Sequence, residues 1–289
     1  MSAAPTRSKQ TGGIAEYELG PREFAQLADL IYAESGIVLV ESKMRLVHSR
    51  LVKRLRARGI PNFAAYLALI DRDHEERGLA VEALTTNHTK FFREQHHFDH
   101  VAEKVWPALR QRLDRGGRVR IWSAACSSGE EPYTLAMTLL GTDRGAASRL
   151  RNQDFRILAT DLSREVLTTA AAGRYPVAAF DGAPSKLGEV WAKRAGESVE
   201  FDANVRSLIS FRSLNLLREW PIKGQFDLIF CRNVMIYFDD PTKAELQARL
   251  ADRLVAGGTM CIGHSERLIG RSAQQLKPVG QTIYRKEGA

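Results

Sequence analysis

The 289-residue chain is 44% hydrophobic and 26% charged, which is enough apolar material for the core of one large or two modest domains. Its apolar runs are too short to cross a bilayer, and the first residues, MSAAPTRSKQTGG, lack the apolar segment of a secretion signal. We therefore expect a cytoplasmic protein with no direct membrane insertion. Three widely spaced cysteines match neither a disulfide framework nor a zinc pattern and are predicted to be small buried residues: Cys126, Cys231 and Cys261.

The first part of the chain is predicted to be helical. Residues 1–15 are expected to form a flexible tail, and residues 16–88 an all-helical domain. Pro21 is placed to open the first helix and Gly36 to end it, and a second helix is predicted to end at Gly59.

This second helix concentrates the positive charge of a chain whose formal net charge is +8. Val47, Leu51 and Leu55 recur every four residues and predict an apolar stripe. The face is either simply solvated or a docking surface for something acidic, namely nucleic acid or an acidic protein. Basic residues cover much of the remaining surface, with no acid in residues 43–59: Arg45, Arg50, Lys53, Arg54, Arg56 and Arg58.

Residues 89–114 are predicted to form a linker segment and a helix, which Pro107 should kink or divide. The segment includes HTKFFREQHHFDH, in which His96 and His100 have a spacing that zinc sites use. No Glu occupies the HExxH position and no third ligand is evident. We therefore predict no metal site.

From residue 115 to residue 289 the pattern changes to strand-like runs, most of them separated by helical stretches. Such alternation predicts a doubly wound, Rossmann-like α/β sheet with its ligand at the carboxyl ends of the strands. The runs are VRIWSAAC, FRILATD, LISFRSL, FDLIFCRNV, GTMCIGHS and QTIYRKE.

The stretch IWSAACSSGEEPYTLA, residues 121–136, predicts a strand, a small-residue turn and a helix. Ser127 and Glu130 fit a capping box, but that register would put Pro132 too deep in the helix, and a helix starting at Glu130 removes the conflict. Glu130 either complements the helix dipole or binds a ligand, whereas for Glu131 we favour a ligand role.

Carboxylates at a nucleotide-type turn repel phosphate and suit a nucleoside that carries cationic groups. S-adenosylmethionine is such a ligand, because it has a sulfonium, an ammonium and ribose hydroxyls but no phosphate. Asp161 ends the next strand, where such folds place an acid on the ribose hydroxyls.

Six stretches of the chain resemble the CheR-type chemotaxis receptor methyltransferases. They occur in order over about two thirds of the chain, and the helical region before them resembles the amino-terminal domain of that family. The stretches are NHTKFFRE (87–94), WSAACSSGEEPY (122–133), ATDLSREVL (159–167), SLNLL (213–217), FDLIFCRNVMIYF (226–238) and GHSE (263–266).

The resemblance implies transfer of a methyl group from S-adenosylmethionine to glutamate side chains of chemoreceptor cytoplasmic helices, with S-adenosylhomocysteine as the product. It implies that Arg93 and Tyr237 lie nearest the transferred methyl group. Each also has an ordinary structural interpretation, such as an ion pair of Arg93 with Glu94 or a core position for Tyr237. The cofactor positions that the resemblance implies are Asn87, Thr89, Arg93, Glu131, Asp161, Asn215, Leu216, Arg232 and Asn233.

A glutamate carboxylate has a reference pKa of about 4.3, so at neutral pH it is already ionised and needs no general base. The absence of a recognisable catalytic triad agrees with this chemistry. Two alternatives remain: a nucleic-acid methyltransferase that uses the basic helix for phosphate contacts, and a catalytically silent scaffold that binds the cofactor.

The family also inserts a small antiparallel β-subdomain before the SLNLL element, expected here at about residues 185–213. Some members use its glycine-rich loop to bind a pentapeptide at the receptor's carboxyl terminus. Residues 190–211, the corresponding stretch here, contain a single glycine, Gly196. Binding of a peptide by strand addition needs close approach of two backbones, which several glycines would allow, so we predict that this protein binds receptor helices without the peptide tether. We also expect a monomer.

Overall fold

A computed structural model describes residues 17–85, 87–181 and 183–288. The predicted flexible tail, residues 1–15, lies outside these ranges. The chain divides into two compact units, the first of which ends at Thr85. The predicted end of the helical domain, residue 88, falls just beyond this boundary. Within the described residues, no helix combines the length and the apolar character needed to span a membrane.

The described part of the first unit is helical, as predicted. Gly36 and Gly59 end the first two helices with φ of 67° and 64°, the left-handed conformation that glycine adopts without steric cost. The side chains of Asn62 and Asp73 cap the next two by accepting backbone N–H groups. The helices are α1 (Pro21–Ser35), α2 (Met44–Arg58), α3 (Phe63–Arg72) and α4 (His74–Leu84), with a 3₁₀ turn at Glu41–Lys43.

The second unit begins with a divided helix. Helix α5 (His96–His100) continues into a π-helical turn, Val101–Val105, and then into α6 (Trp106–Asp114). Pro107 is in the first turn of α6. A proline lacks the N–H of a regular turn and its ring clashes with the carbonyl four residues earlier, so the wider π turn accommodates it. The expected kink or division at Pro107 therefore takes the form of this π turn within a helical run that is not interrupted.

The main sheet of the second unit has the order β6-β2-β1-β7-β8-β10-β9. The first five strands in this order are parallel, and β10 pairs antiparallel with both β8 and β9. The strands are β1 (Val119–Ala124), β2 (Phe155–Asp161), β6 (Ile209–Ser213), β7 (Phe226–Cys231), β8 (Leu254–Ile262), β9 (Leu276–Gly280) and β10 (Ile283–Lys286). The remaining helices are α7 (Glu130–Leu140), α8 (Ala146–Arg151), α9 (Arg164–Ala172), α10 (Ser185–Trp191), α11 (Ala203–Ser207), α12 (Asp240–Asp252) and α13 (Ser272–Gln275).

The strand order reverses between β1 and β7. The chain starts at β1, moves outward through β2 to β6, and then returns to β7 on the other side of β1. This is the doubly wound topology that the sequence predicts, and its ligand crevice lies at the carboxyl ends of the strands on either side of the reversal.

The strands next to this reversal are buried on both faces. All six residues of β7 are buried, and Trp122 of β1 and Phe230 of β7 have no exposed surface. The three cysteines are at most 1% exposed, which confirms that they are small buried residues. Each of the six strand-like runs forms a strand, whereas β9 was not predicted, because its sequence LKPVG has little strand character.

A separate small antiparallel sheet has the order β3-β5-β4, with strands β3 (Arg174–Pro176), β4 (Ala192–Ala195) and β5 (Ser198–Phe201). The expected limits of the subdomain, residues 185–213, differ from this sheet at both ends. Strand β3 comes from an earlier segment of the chain, and β6 pairs with β2 in the main sheet because Ile209 continues its buried surface.

Candidate active site

The turn after β1 determines where α7 begins. Gly129 has φ of 98°, and a Cβ there would lie 2.8 Å from both Ala170 Cβ and Tyr175 Oη, so only glycine fits. The capping-box hypothesis is wrong, because the Ser127 hydroxyl donates to the Asn87 carbonyl at 2.9 Å instead of capping α7. The helix begins at Glu130, as the alternative register requires.

The two glutamates of the turn have different surroundings. Glu130 is buried and accepts a hydrogen bond from the Ser128 hydroxyl at 2.7 Å, and burial raises its pKa despite that bond. Glu131 accepts from the Ser123 hydroxyl at 2.7 Å and from Arg232 Nη1 at 2.8 Å. Glu131 therefore lies at the point where the strand order reverses, between the carboxyl ends of β1 and β7.

Asp161 connects the loops that follow β1 and β2. It is 8% exposed, and its two carboxylate oxygens accept the backbone N–H groups of Ser127 at 2.8 Å and Ser163 at 3.0 Å. The Asp161 carbonyl in turn accepts the N–H of Leu214 at 2.9 Å, which brings the SLNLL loop beside it. In that loop Asn215 accepts the N–H of Leu217 at 2.9 Å.

Arg232, the second residue of the CRN sequence after β7, is surrounded by acids. Its side chain is 3% exposed, and it forms ion pairs of 2.8 Å with Glu131 and 3.2 Å with Glu94. Its guanidinium also lies 5.6 Å and 5.8 Å from the ring centres of Phe98 and Phe230. This buried cation joins the first turn of α7 to the segment of residues 87–94.

Glu94 ends the NHTKFFRE stretch, and the sequence predicts for it only an ion pair with Arg93, not a place in the site. Its carboxylate contacts Asn233 Nδ2 at 3.2 Å and His264 Nδ1 at 2.9 Å, and it lies 4.0 Å from Arg93 Nε. Burial acts to raise the pKa of Glu94, but Arg232, His264 and Asn233 outweigh it and lower the pKa to about 2. Glu94 is therefore a carboxylate at neutral pH.

A second missed carboxylate, Glu266 of the GHSE stretch, fixes the turn after β7. It accepts the backbone N–H groups of Gly263 at 2.6 Å, Asn233 at 3.1 Å and Met235 at 2.8 Å. Asn233 adopts φ of 59°, and a Cβ on Gly263 would lie 2.7 Å from the Asn233 nitrogen. Tyr237 ends the 3₁₀ turn Met235–Tyr237 that follows.

The structure thus brings the predicted cofactor residues to one end of the main sheet. They lie at or just after the ends of β1, β2, β6 and β7 and in residues 87–94. The segment of residues 87–94 contacts these loops through backbone carbonyls. The Ser127 hydroxyl donates to the Asn87 carbonyl, and Arg232 donates to the Arg93 carbonyl. The set comprises Asn87, Thr89, Arg93, Glu131, Asp161, Asn215, Leu216, Arg232 and Asn233.

Three carboxylates lie at this end of the sheet, two of them paired with the buried Arg232. Glu94, Glu131 and Asp161 are gathered there, and both the turn of residues 125–129 and the first turn of α7 lack lysine and arginine. Carboxylates suit a ligand with positive groups and hydroxyls and oppose a phosphate. The residues therefore fit S-adenosylmethionine.

The histidine-rich stretch has partners other than a metal. His97 is fully buried and its Nε2 contacts the Thr282 hydroxyl at 2.8 Å, while His96 Nε2 contacts the Gln281 carbonyl at 3.1 Å. Burial lowers the pKa of His97 to about 3, so it is neutral. In residues 17–85, 87–181 and 183–288, no group of three or more His, Cys, Asp or Glu side chains is arranged to hold a metal ion.

On α2, the predicted basic face is smaller than expected. Arg50 donates to the carbonyls of Leu84 and Thr85, and Arg54 forms a two-bond pair with the buried Glu76. These two arginines are occupied within the first unit, because α4 supplies acceptors that the sequence of α2 does not reveal. The exposed basic residues are Arg45, Lys53, Arg56 and Arg58, and Arg58 also pairs with Asp73 and Glu76 at 3.4 Å.

Comparison with known proteins assigns the family. The model of the CheR methyltransferase SAM-binding domain matches residues 87–285, and that of the CheR methyltransferase all-alpha domain matches residues 22–85. The chain belongs to the CheR methyltransferase family. It is an S-adenosylmethionine-dependent methyltransferase, as the resemblance implied.

Relatives in this family are similar over nearly the whole chain. A probable chemotaxis protein methyltransferase of Rhizobium etli is 42% identical over 262 residues, covering 89% of this chain and 96% of the relative. Chemotaxis protein methyltransferase 2 of Pseudomonas aeruginosa is 40% identical over 278 residues, 94% of this chain and 95% of the relative. The Escherichia coli chemotaxis protein methyltransferase is 37% identical over 273 residues, 92% and 91% of the two chains.

Proposed function

We propose that this methyltransferase transfers methyl groups to glutamate side-chain carboxylates of chemoreceptor cytoplasmic helices. The names of its relatives support a chemotaxis substrate. The observation that carries the proposal is the Glu131–Arg232–Glu94 chain, which holds the segment of Arg93 against α7, while Asn233 connects Glu94 to the turn that bears Tyr237. The protein would act as a monomer in the cytoplasm, where these receptor helices lie.

We assign the cofactor to the acidic end of the main sheet. Asp161 would accept hydrogen bonds from ribose hydroxyls, since its carboxylate is already held by the N–H groups of Ser127 and Ser163. Glu131 would face a positive group of the ligand while Arg232 and Ser123 fix its direction. The neighbouring residues of the site would complete it: Asn87, Thr89, Asn215, Leu216 and Asn233.

The acceptor requires orientation, not deprotonation. When bound, S-adenosylmethionine supplies an electrophilic sulfonium methyl group. Arg93 is 27% exposed in its side chain and would orient the incoming carboxylate. Tyr237 would position the reacting groups and help exclude water. Because an ionised glutamate is the nucleophile, no residue has to remove a proton, and the rate enhancement comes mainly from alignment.

One labelling experiment tests this function. The enzyme is incubated with methyl-labelled S-adenosylmethionine and membranes from the same cell, and the labelled band is treated with mild base. A carboxyl methyl ester releases its label, whereas a methylated nucleic-acid base retains it. A base-stable label on nucleic acid would establish the alternative function, and no label on any substrate would indicate a silent scaffold.

A further inference from the structure

A pocket of about 300 Å³ lies beside the turn that bears Tyr237. We call it the Ile236 pocket. It is formed between that turn, helix α12 and the segment after the GHSE stretch. Its lining residues are Met235, Ile236, Asp240, Lys243, Gln247, Ser265, Glu266, Arg267 and Ile269.

The apolar wall of the pocket is held in a fixed direction. Met235 is 1% exposed, whereas the next residue, Ile236, is 48% exposed. The Glu266 carboxylate accepts the N–H groups of Asn233 and Met235 and so fixes the backbone on which Ile236 projects. Few large apolar side chains of the described residues are as exposed as Ile236, and this one directly precedes Tyr237.

The opposite wall is also preorganised. Gln247 is 1% exposed and accepts the N–H of Ile269 at 2.8 Å through its side-chain oxygen, while its side-chain nitrogen donates to the Arg267 carbonyl at 2.8 Å. The backbone of residues 267–269 is therefore fastened to α12. The Arg267 side chain, in contrast, is exposed at the rim.

The rim carries two acidic and two basic side chains, and their pairing leaves one cation for an acidic occupant. Lys243 and Asp240 pair with each other at 3.0 Å, and the Glu266 carboxylate is turned toward backbone N–H groups. Within the part of the chain that the structure describes, the Arg267 guanidinium has no carboxylate partner. The pocket thus offers one apolar surface and one unpaired cation.

We propose that the Ile236 pocket binds the helical turn of the receptor that adjoins the acceptor glutamate. One apolar side chain of that turn contacts Ile236, and one acidic side chain contacts Arg267. This inference rests on the proposed function, because the occupant is the methylated protein itself. In this proposal Ile236 and Arg267 determine specificity, because they contact receptor side chains next to the acceptor glutamate.

The test compares Ile236→Ser and Arg267→Glu with two matched controls on β9. Val279→Ser removes an apolar side chain that is 43% exposed, and Lys277→Glu makes the same charge change as Arg267→Glu at an exposed position outside the pocket. The measurements are the initial rate of base-labile methylation against receptor concentration and the calorimetric affinity for S-adenosylmethionine.

Each pocket variant is expected to raise the KM for receptor on the order of tenfold, with kcat and cofactor affinity close to wild type, because the lost contacts are peripheral to the reacting atoms. The controls should keep the wild-type KM. Pocket variants that behave like their controls would overturn the inference, and a weakened cofactor affinity would assign the pocket to the cofactor instead. If the wild-type enzyme forms no base-labile ester, the proposed function itself fails, which is a distinguishable result.

Discussion

Arg232 and Glu94 form an ion pair of 3.2 Å in which the arginine side chain is 3% exposed and the glutamate side chain 11% exposed. Arg232 directly follows β7 and Glu94 directly follows Arg93, so the pair joins two segments that are far apart in sequence. Phe92 and Glu94 adopt φ of 54° and 58°, a conformation that costs free energy for residues other than glycine. The ion pair helps to hold this unfavourable backbone in place beside the site.

Replacement of Asp161 by alanine should weaken the binding of S-adenosylmethionine by about 1.5 to 3 kcal/mol, because a charged acceptor of hydrogen bonds is lost. Asp161→Asn is the matched control for loop structure, since its side-chain oxygen still accepts one of the two N–H groups of Ser127 and Ser163. Calorimetry on folded protein measures the change. Unchanged affinity in a folded Asp161→Ala variant would remove Asp161 from the cofactor site.

Glu94 should stabilise the protein in a pH-dependent manner. Its pKa is lowered to about 2 in the folded state, so its contribution is present above the unfolded pKa of about 4.3 and is lost as the pH falls toward about 2. At pH 7, Glu94→Gln should lower the free energy of unfolding by about 1.5 to 3 kcal/mol. Denaturation of both proteins from about pH 7 to about pH 3 measures the difference, which should shrink as the acid side is approached.

A difference that stays constant over this range would contradict the assigned ion pair. Asp114→Asn provides a control, because Asp114 is exposed and pairs with Arg110 at the surface. That substitution should change the free energy of unfolding far less than Glu94→Gln does, because solvent screens an exposed ion pair.

The exposed basic residues of α2 should govern attraction to the receptor. Reversing Arg45 and Lys53 to glutamate should lower kcat/KM for receptor methylation by about tenfold at low salt while the cofactor affinity is unchanged. The wild-type rate should fall steeply as salt is added. The double variant Arg22→Glu and Arg72→Glu changes the charge equally at exposed positions of α1 and α3. If both double variants behave alike, the basic face of α2 is simply solvated.

The small sheet should not bind a carboxyl-terminal receptor pentapeptide. Strands β4 and β5 are joined by the two-residue turn of Gly196 and Glu197, in which only Gly196 has positive φ, 65°. Such a tight turn leaves no glycine-rich loop to accommodate a second backbone. Titration of the enzyme with the peptide is expected to show no binding at micromolar concentrations, and saturable binding at this sheet would refute the prediction.

The sequence predicts features whose causes are local. Pro21 and Gly36 mark the start and the end of α1, and Pro132 favours a start of α7 at Glu130. Apolar runs indicate the buried strands β1 and β7. Asp161 follows from its place at the end of a strand, whereas the resemblance to a family supplies positions such as Asn87 and Asn215. These signals are contained in a few neighbouring residues, so they can be recognised without a three-dimensional contact.

Contacts between distant residues were harder to predict. Glu94 and Glu266 gain their surroundings only when the loops meet at the end of the sheet, and neither residue type is unusual in its own stretch. Arg54 looked like part of an exposed basic face because its partner Glu76 belongs to another helix. The expected range of the small sheet contains β4 and β5 but not β3, which pairs with β5 across the segment of α10 and β4.

The gathering of Glu94, Glu131 and Asp161 also determines which adenosine compounds the site rejects. ATP has the same adenosine group as S-adenosylmethionine, but its phosphates would face these carboxylates. The backbone N–H groups of Ser127 and Asn233 already donate to Asp161 and Glu266 and are not available to an anion. Because the three carboxylates outnumber Arg232, which pairs with two of them, we expect ATP to bind this end of the sheet more weakly than S-adenosylmethionine.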